Sequence, residues 1–337
     1  MLSAPRFWWR PKPTLPAWLL WPLGWLYGEI TLRRMRRTGA DLPIPIICVG
    51  NFVAGGAGKT PTAIAIAELL NRRGETPFVL MRGYGGRLAG PVEVDPDYHA
   101  SADVCDEPML MARHARTVIA RDRVAGARLA NGLGASVIVM DDGLQNPSLT
   151  KRLRLAVVDG LSGAGNGLCL PAGPLRAPLA DQIGEADAVI VIGEGEAGRQ
   201  VAAAARSQSR PVIVARLEPL GTATERLRGR DVLALSGIGR PEKFAVTLRE
   251  AGALIVAERA FGDHHAYTQA DIAQVTAEAK RRDALIATTE KDWTKLAALW
   301  PETEIDRIVV VPVRLVFAEP ERLEGLLAAA SGAPGPA

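Results

Sequence analysis

The chain of 337 residues is 48% hydrophobic and 23% charged, with a net charge of +3. At roughly 150 residues per domain that is about two domains, and the balance excludes a disordered chain, a disulfide-stapled miniprotein and a polytopic membrane protein. The cysteines, Cys48, Cys105 and Cys169, are odd in number and lack CxxC or Cys/His spacing, which argues against a disulfide framework and a structural zinc and points to a reducing compartment.

The charge is uneven along the chain. Residues 1–40 hold Arg6, Arg10, Lys12, Arg33, Arg34, Arg36 and Arg37 against Glu29 alone, so the remainder is net negative and nucleic-acid binding is not indicated. The same segment holds five of the seven tryptophans, Trp8, Trp9, Trp18, Trp21 and Trp25. Its apolar run from Leu15 to Tyr27 is broken by Pro16, Pro22 and Gly24 and falls short of the roughly 20 residues a membrane span needs. The heaviest charge follows the run, the reverse of a secretory signal. Apolar residues with interfacial Trp and flanking Arg read as a helix lying in an anionic membrane surface, with a core or partner-docking helix as the plainer alternative.

From Leu42 onward short β-branched runs alternate with helical stretches. Strands are expected at Pro45–Val49, Pro77–Met81, Ser136–Met140, Leu153–Val158, Ala188–Ile192 and Val212–Ala215, with helices at Thr60–Arg73, Pro108–Ala115, Asp122–Leu133 and Gln200–Ser207. Strands this apolar, without alternation, are buried on both faces, as in a parallel sheet covered by helices. After a polar stretch at Gly221–Gly229 the pattern resumes with strands at Val232–Leu235, Leu254–Val256 and Leu285–Thr288 and helices at Pro241–Gly252 and Gln269–Arg282. The expected fold is therefore α/β, a P-loop NTPase-type mostly parallel sheet with a second, smaller α/β domain and an N-terminal interfacial helix. The expected boundaries are 1–40 for the interface helix, 41–225 for the P-loop domain, 226–330 for the smaller domain and 331–337 for a disordered tail.

Directly after the first strand comes Val53-Ala54-Gly55-Gly56-Ala57-Gly58-Lys59-Thr60, opening a helix. Strand, glycine loop and helix in that order are the context of a phosphate-binding loop: backbone N–H groups and the helix N-terminus face the phosphates, Lys59 reaches the outer ones and Thr60 holds Mg2+. Val53 stands where the strict pattern has glycine, and the Gly55-Gly56-x-Gly58-Lys59-Thr60 core survives that departure. The strand Val137–Met140 ends in Asp141-Asp142-Gly143, and an aspartate at such a strand end orients Mg2+ or its waters. Candidates for the acceptor's proton are Asp106, also a plausible cap for the helix at Pro108, and the His264-His265 pair in the loop ahead of a Thr268/Asp271 capping box. Ser236-Gly237-Ile238-Gly239-Arg240 lacks the third glycine of a dinucleotide fingerprint and reads as a packing turn or substrate loop. Thr289-Glu290-Lys291-Asp292 misplaces the lysine of a guanine-reading motif, which favours an adenine nucleotide.

Over nearly its whole length the chain resembles the tetraacyldisaccharide 4'-kinase family of lipid A synthesis. The resemblance rests on Val49-Gly50-Asn51, Gly55 to Pro61, Arg82-Gly83-Tyr84-Gly85, Asp106-Glu107-Pro108, Asp141-Asp142-Gly143-Leu144-Gln145, Pro171 to Arg176, Asp263-His264-His265 and Thr288 to Asp292. It implies a two-domain P-loop kinase that uses ATP and Mg2+ to phosphorylate the 4'-hydroxyl of a tetraacylated glucosamine disaccharide 1-phosphate. Its partners would be that lipid and the cytoplasmic face of the inner membrane, held peripherally, with no obligate protein partner. The family's catalytic carboxylate falls on Asp106, its histidine on His264, its Mg2+ handling on Thr60, Asp141 and Asp142, and its basic contacts on Arg121 and Arg176. Asn146 and Ala177 stand where some members carry His and many carry Glu, so roles there are not transferred. The rival from another class is a membrane-recruited P-loop ATPase switch with no small acceptor.

Overall fold

The computed structural model describes residues 4–262 and 265–332. Strands β1 (Ile46–Asn51), β2 (Pro77–Met81), β3 (Val92–Glu93), β4 (Thr117–Ile119), β5 (Val137–Asp141), β6 (Leu153–Asp159), β7 (Ala188–Ile192) and β8 (Val212–Pro219) come first in the chain. They are followed by β9 (Asp231–Ser236), β10 (Leu254–Ala260), β11 (Leu285–Thr289), β12 (Ile308–Val311) and β13 (Val313–Phe317). The helices are α1 (Leu15–Met35), α2 (Lys59–Arg72), α3 (Ser101–Val104), α4 (Asp106–Ala112), α5 (Arg123–Gly132), α6 (Leu179–Gly184), α7 (Glu196–Ser207), α8 (Gly221–Leu227), α9 (Pro241–Glu250), α10 (Gln269–Arg281), α11 (Glu290–Leu296) and α12 (Pro320–Ser331).

A nine-stranded sheet in the order β13-β8-β7-β6-β1-β5-β2-β4-β3 is parallel apart from β3 and β13 at its edges. Every residue of β1, β2, β5 and β7 is buried, because helices cover both faces. On β1, Ile47 and Val49 pack with Ile66 and Leu70 of α2, Met109 and Met111 of α4 and Leu323 and Leu327 of α12. Cys48, on the opposite face, packs with Leu32 and Met35 of α1, Ile183 of α6 and Val201 of α7. A second sheet, β10-β9-β11-β12, is wholly parallel.

The chain does not leave the first unit for good at residue 225. Residues 313–330, placed with the smaller domain from sequence, return to the first: β13 pairs antiparallel with β8, and α12 packs under β1 and β6. Leu315, Phe317, Leu323 and Leu327 are the reason, since their apolar side chains complete the core on the α2 face. Ser331, assigned to the tail, belongs to α12, and residues 333–337 lie outside the described residues.

Helix α1 runs unbroken through Pro16, Pro22 and Gly24. Pro16 sits in the first turn, where no intrahelical N–H bond is lost, and Pro22 costs one such bond. Gly24 and Gly28 face Cys169, so close that a Cβ on Gly24 would lie 2.6 Å from its carbonyl oxygen and one on Gly28 would lie 2.8 Å from its Sγ. The helix docks along its small side and leaves the other bare: Leu19 is 74% and Trp25 58% exposed, with Leu15, Trp18, Trp21, Leu23, Leu26, Tyr27 and Ile30 beside them. No helix among the described residues is long and apolar enough to cross a membrane.

Candidate active site

The phosphate loop leaves β1 at the centre of the sheet, where β5 lies alongside with Val49 opposite Asp141. Gly55 and Gly58 take φ of 121° and 94°, left-handed values that a side chain resists, and Gly58 opens α2. Asn51, fully buried, donates from Nδ2 to the Gly55 carbonyl at 2.9 Å and so braces the turn. Ala57 is buried while Gly55 and Gly56 face solvent, and Val53 takes part in an isolated bridge to Leu175. The ring of Trp9 lies against Gly55, and the Arg240 guanidinium stacks over that ring, 5.1 Å from its centroid.

Asp141 and Asp142 occupy different electrostatic settings. Burial pushes the Asp141 carboxyl up to about 7 against the pull of Lys59. Its Oδ1 has no hydrogen-bond partner among the described residues. Asp142, with φ of 52°, turns back toward the loop: Lys59 Nζ stands 3.6 Å from Oδ1, and Arg176 forks onto both oxygens at 2.9 and 3.2 Å. Burial raises Asp142 as well, but Lys59 and Arg176 outweigh it and hold the carboxyl below the ordinary aspartate range.

An orphaned buried carboxylate oxygen at the end of β5, the strand against which α2 packs, suits a hydrated divalent cation. Among the described residues no cluster of three or more Asp, Glu, His or Cys forms a metal cage. Mg2+ keeps most of its waters and is completed by phosphate oxygens, so it needs few protein ligands.

The Asp141 environment has a consequence in metal-free protein. The folded chain holds its proton up to about 7, whereas the ordinary value is 3.8. Below about pH 4 both states are protonated; between there and about pH 7 only the folded state binds the proton, so stability falls as pH rises. Asp141→Asn removes the buried charge. In EDTA at about pH 8 its Tm is expected above that of the unmodified chain, with the two converging near pH 4. Equal Tm values at the higher pH would contradict the buried-charge reading.

Arg176 does more than pair with Asp142. Its Nε donates to the Val53 carbonyl at 3.3 Å and its Nη1 to Gln145 Oε1 at 3.1 Å. Gln145, singled out from sequence only as part of the family resemblance, and Gln182, not singled out at all, tie this arginine loop to β1: Gln145 Nε2 donates to the Asn51 carbonyl at 2.8 Å, and Gln182 Nε2 to that of Phe52 at 3.1 Å. Arg123 is the other addition. It is 4% exposed, and burial pulls its guanidinium down to about 10 while the charge of Asp141 opposes the shift. Arg121, by contrast, is exposed beyond β4, held by its amide to the Ala89 carbonyl at 2.8 Å.

Asp106 is the first residue of α4 rather than its cap; Cys105, at φ of 78°, precedes it as N-cap. The Asp106 carboxylate is 7% exposed and meets Lys295 of α11. Next to it, Lys291 Nζ pairs with Glu107 at 3.3 Å, and Glu107 is near enough to Asp141 to raise its carboxyl. His264 lies outside the described residues. His265 is engaged elsewhere, 3.3 Å from Asp271 and stacked on Phe261 at 4.5 Å. The Thr268/Asp271 capping box is formed, and the Ser236–Arg240 turn packs Gly237 against Asp292, with its amide donating at 3.0 Å. Asn146 closes a turn by accepting from the Ser148 amide at 2.8 Å, and Ala177 is buried.

A glycine loop between a buried strand and a helix, with paired aspartates at the end of the neighbouring strand, places the chain among P-loop nucleotide-binding proteins. The chain belongs to the tetraacyldisaccharide-1-P 4'-kinase (LpxK) family, whose sequence profile matches residues 16–331. It is 55% identical over 336 residues to the tetraacyldisaccharide 4'-kinase of Methylobacterium nodulans, covering 100% of this chain and 97% of that one. It is likewise 55% identical over 330 residues to the kinase of Methylorubrum extorquens, 98% of this chain and 99% of that one. The fold matches the crystal structure of LpxK from Aquifex aeolicus in complex with ATP, with a TM-score of 0.70 and 24% identity over 92% of this chain and 98% of that one. Family membership goes against the rival reading of a P-loop switch with no small acceptor.

Proposed function

We propose that this protein uses ATP and Mg2+ to phosphorylate the 4'-hydroxyl of a tetraacylated glucosamine disaccharide 1-phosphate, a step of lipid A synthesis, at the cytoplasmic face of the inner membrane. The observation that supports the reading is that Lys59, Asp141 and Asp142 gather at the strand ends within the influence of Glu107, the chain neighbour of the buried Asp106 at the head of α4. The Val53–Thr60 backbone cradles the phosphates, and Lys59 holds the outer ones in line. Asp141 with Thr60 would hold Mg2+, whose charge offsets that of the transferring group. Arg176 locks Asp142 and the loop entrance together, so the cradle stays formed through the reaction. Asp106, working with His264, positions the sugar hydroxyl and takes its proton; the loose transition state delays full deprotonation. Arg121, at the rim of the first sheet, is available to the substrate's own phosphate.

Mass spectrometry of the lipid after incubation with MgATP tests the reaction: one added phosphate on the distal sugar is expected. ADP release without phosphorylated lipid would instead favour the switch.

The bare side of α1 supports a peripheral membrane site, where an acylated substrate resides. Deleting the segment would also remove Leu32 and Met35 from the core, so the informative change is on the exposed side alone. Replacing Trp18, Trp21 and Trp25 together by Ser is expected to weaken binding to anionic vesicles by roughly tenfold or more, since each 1.4 kcal/mol of lost burial is a factor of ten. Turnover of a detergent-solubilised substrate should persist. Unchanged vesicle sedimentation would place the membrane contact elsewhere.

A further inference from the structure

The second unit directs a lysine at the aspartate of the proposed proton transfer. Lys295, near the end of α11, places Nζ 3.2 Å from Oδ2 of Asp106, and the two side chains are 11% and 10% exposed. The contact is an ion pair: among the described residues this ammonium makes no hydrogen bond of good geometry. Burying a cation this way costs desolvation energy that a surface lysine avoids.

The surroundings keep it there. Asp292, fully buried, lies 3.9 Å away. Its carboxylate is fixed in turn by the Tyr267 hydroxyl at 3.0 Å, the Gly237 amide at 3.0 Å and the Thr289 hydroxyl at 2.7 Å. The Tyr267 ring covers the ammonium, 5.4 Å from its centroid. Docking of α11 on α4 does not depend on Lys295 alone, because Lys291 and Glu107 already form an ion pair across the same contact. Four elements of the second unit, β9's exit turn, the segment before α10, the end of β11 and α11, thus converge to hold one ammonium against one carboxylate.

We propose that Lys295 is a positioning residue for the phosphoryl transfer, holding the Asp106 carboxylate ionised and in one orientation when the two units are together. A buried aspartate tends to keep its proton, and a cation within about 4 Å reverses that tendency. Asp106 can take part in accepting a proton only from the ionised form. Because the cation comes from the second unit, separating the units would withdraw it. The inference rests on the reading of Asp106 given above.

The test compares Lys295→Met, which keeps an apolar stem against Tyr267, with Lys295→Arg, which keeps the charge, each alone and in an Asp106→Asn background. In the full-length protein Lys295→Met is expected to lower kcat roughly ten- to hundredfold with KM for MgATP nearly unchanged, and Lys295→Arg to restore most of the loss. In the Asp106→Asn background, Lys295→Met should change turnover by no more than about twofold, because the carboxylate it serves is gone. A structural role would add its loss in either background. Unimpaired kcat in Lys295→Met, or losses that multiply in the double variant, overturns the proposal. If Lys295→Met does not fold, the same comparison with Lys295→Gln decides it. Full activity in Asp106→Asn alone would instead remove the reading of Asp106 on which this rests.

Discussion

Lys59→Ala is expected to cut turnover by roughly a thousandfold or more while leaving the protein folded. Two observations separate the chemical loss from a structural one. Among the described residues the ion pair of Lys59 is with Asp142, at 3.6 Å, and Asp142 keeps its two contacts from Arg176 when Lys59 is gone. The loop conformation is set by other groups, the left-handed glycines at 55 and 58 and the hydrogen bond from the Asn51 side chain to Gly55. What disappears is the lysine of the phosphate loop, the group proposed to meet the charge of the transferring phosphoryl. Steady-state kinetics beside a thermal melt provide the check. A variant that melts like the unmodified chain and turns over at a comparable rate would remove the phosphate-loop assignment.

Asp106→Asn is the second large effect, with kcat expected to fall about a hundred- to ten-thousandfold and MgATP binding little changed. The amide keeps the shape of the carboxyl but neither takes a proton nor answers the charge of Lys295. His264→Ala should show the same split between kcat and MgATP binding. The double variant should be little worse than the poorer single one, since groups acting as a unit are not additive. Losses that multiply would mean the two work independently. His265→Ala is expected to be mild in kcat, because that ring is already committed to Asp271 and Phe261; a severe loss there would shift the role to the neighbouring histidine.

Much of the nucleotide half of this site is legible along the chain. A phosphate loop is a local object: consecutive backbone amides, glycines that allow positive φ and a helix starting at Lys59 all lie within eight residues. Asp141 is nearly as local, because an uninterrupted apolar run that ends in two carboxylates marks a buried strand and its exit. Nine of the strands are legible for the same reason, with β2 and β7 at their expected ends and the others off by one to four residues. Strand β4, the edge strand β3, and β12 and β13 at the end of the chain gave too short or too mixed a pattern to separate from loop.

The acceptor half belongs to the tertiary structure. Lys295 is 189 residues from Asp106 along the chain, and nothing in Thr294-Lys295-Leu296 distinguishes it from a solvated helical lysine until α11 is packed on α4. Gln145, Gln182 and Arg123 are likewise ordinary polar residues until burial turns them toward one another, Arg176, backbone carbonyls and the paired aspartates. The return of β13 and α12 to the first sheet escaped the sequence reading because composition reports how much apolar surface a segment must bury, not which sheet will cover it. By itself the sequence determined the elements, the phosphate loop and the strand-end aspartates, where local conformation and chemistry coincide. Only the folded chain decided which distant charges meet, because a charge finds its partner through packing, and packing is set by surfaces hundreds of residues apart.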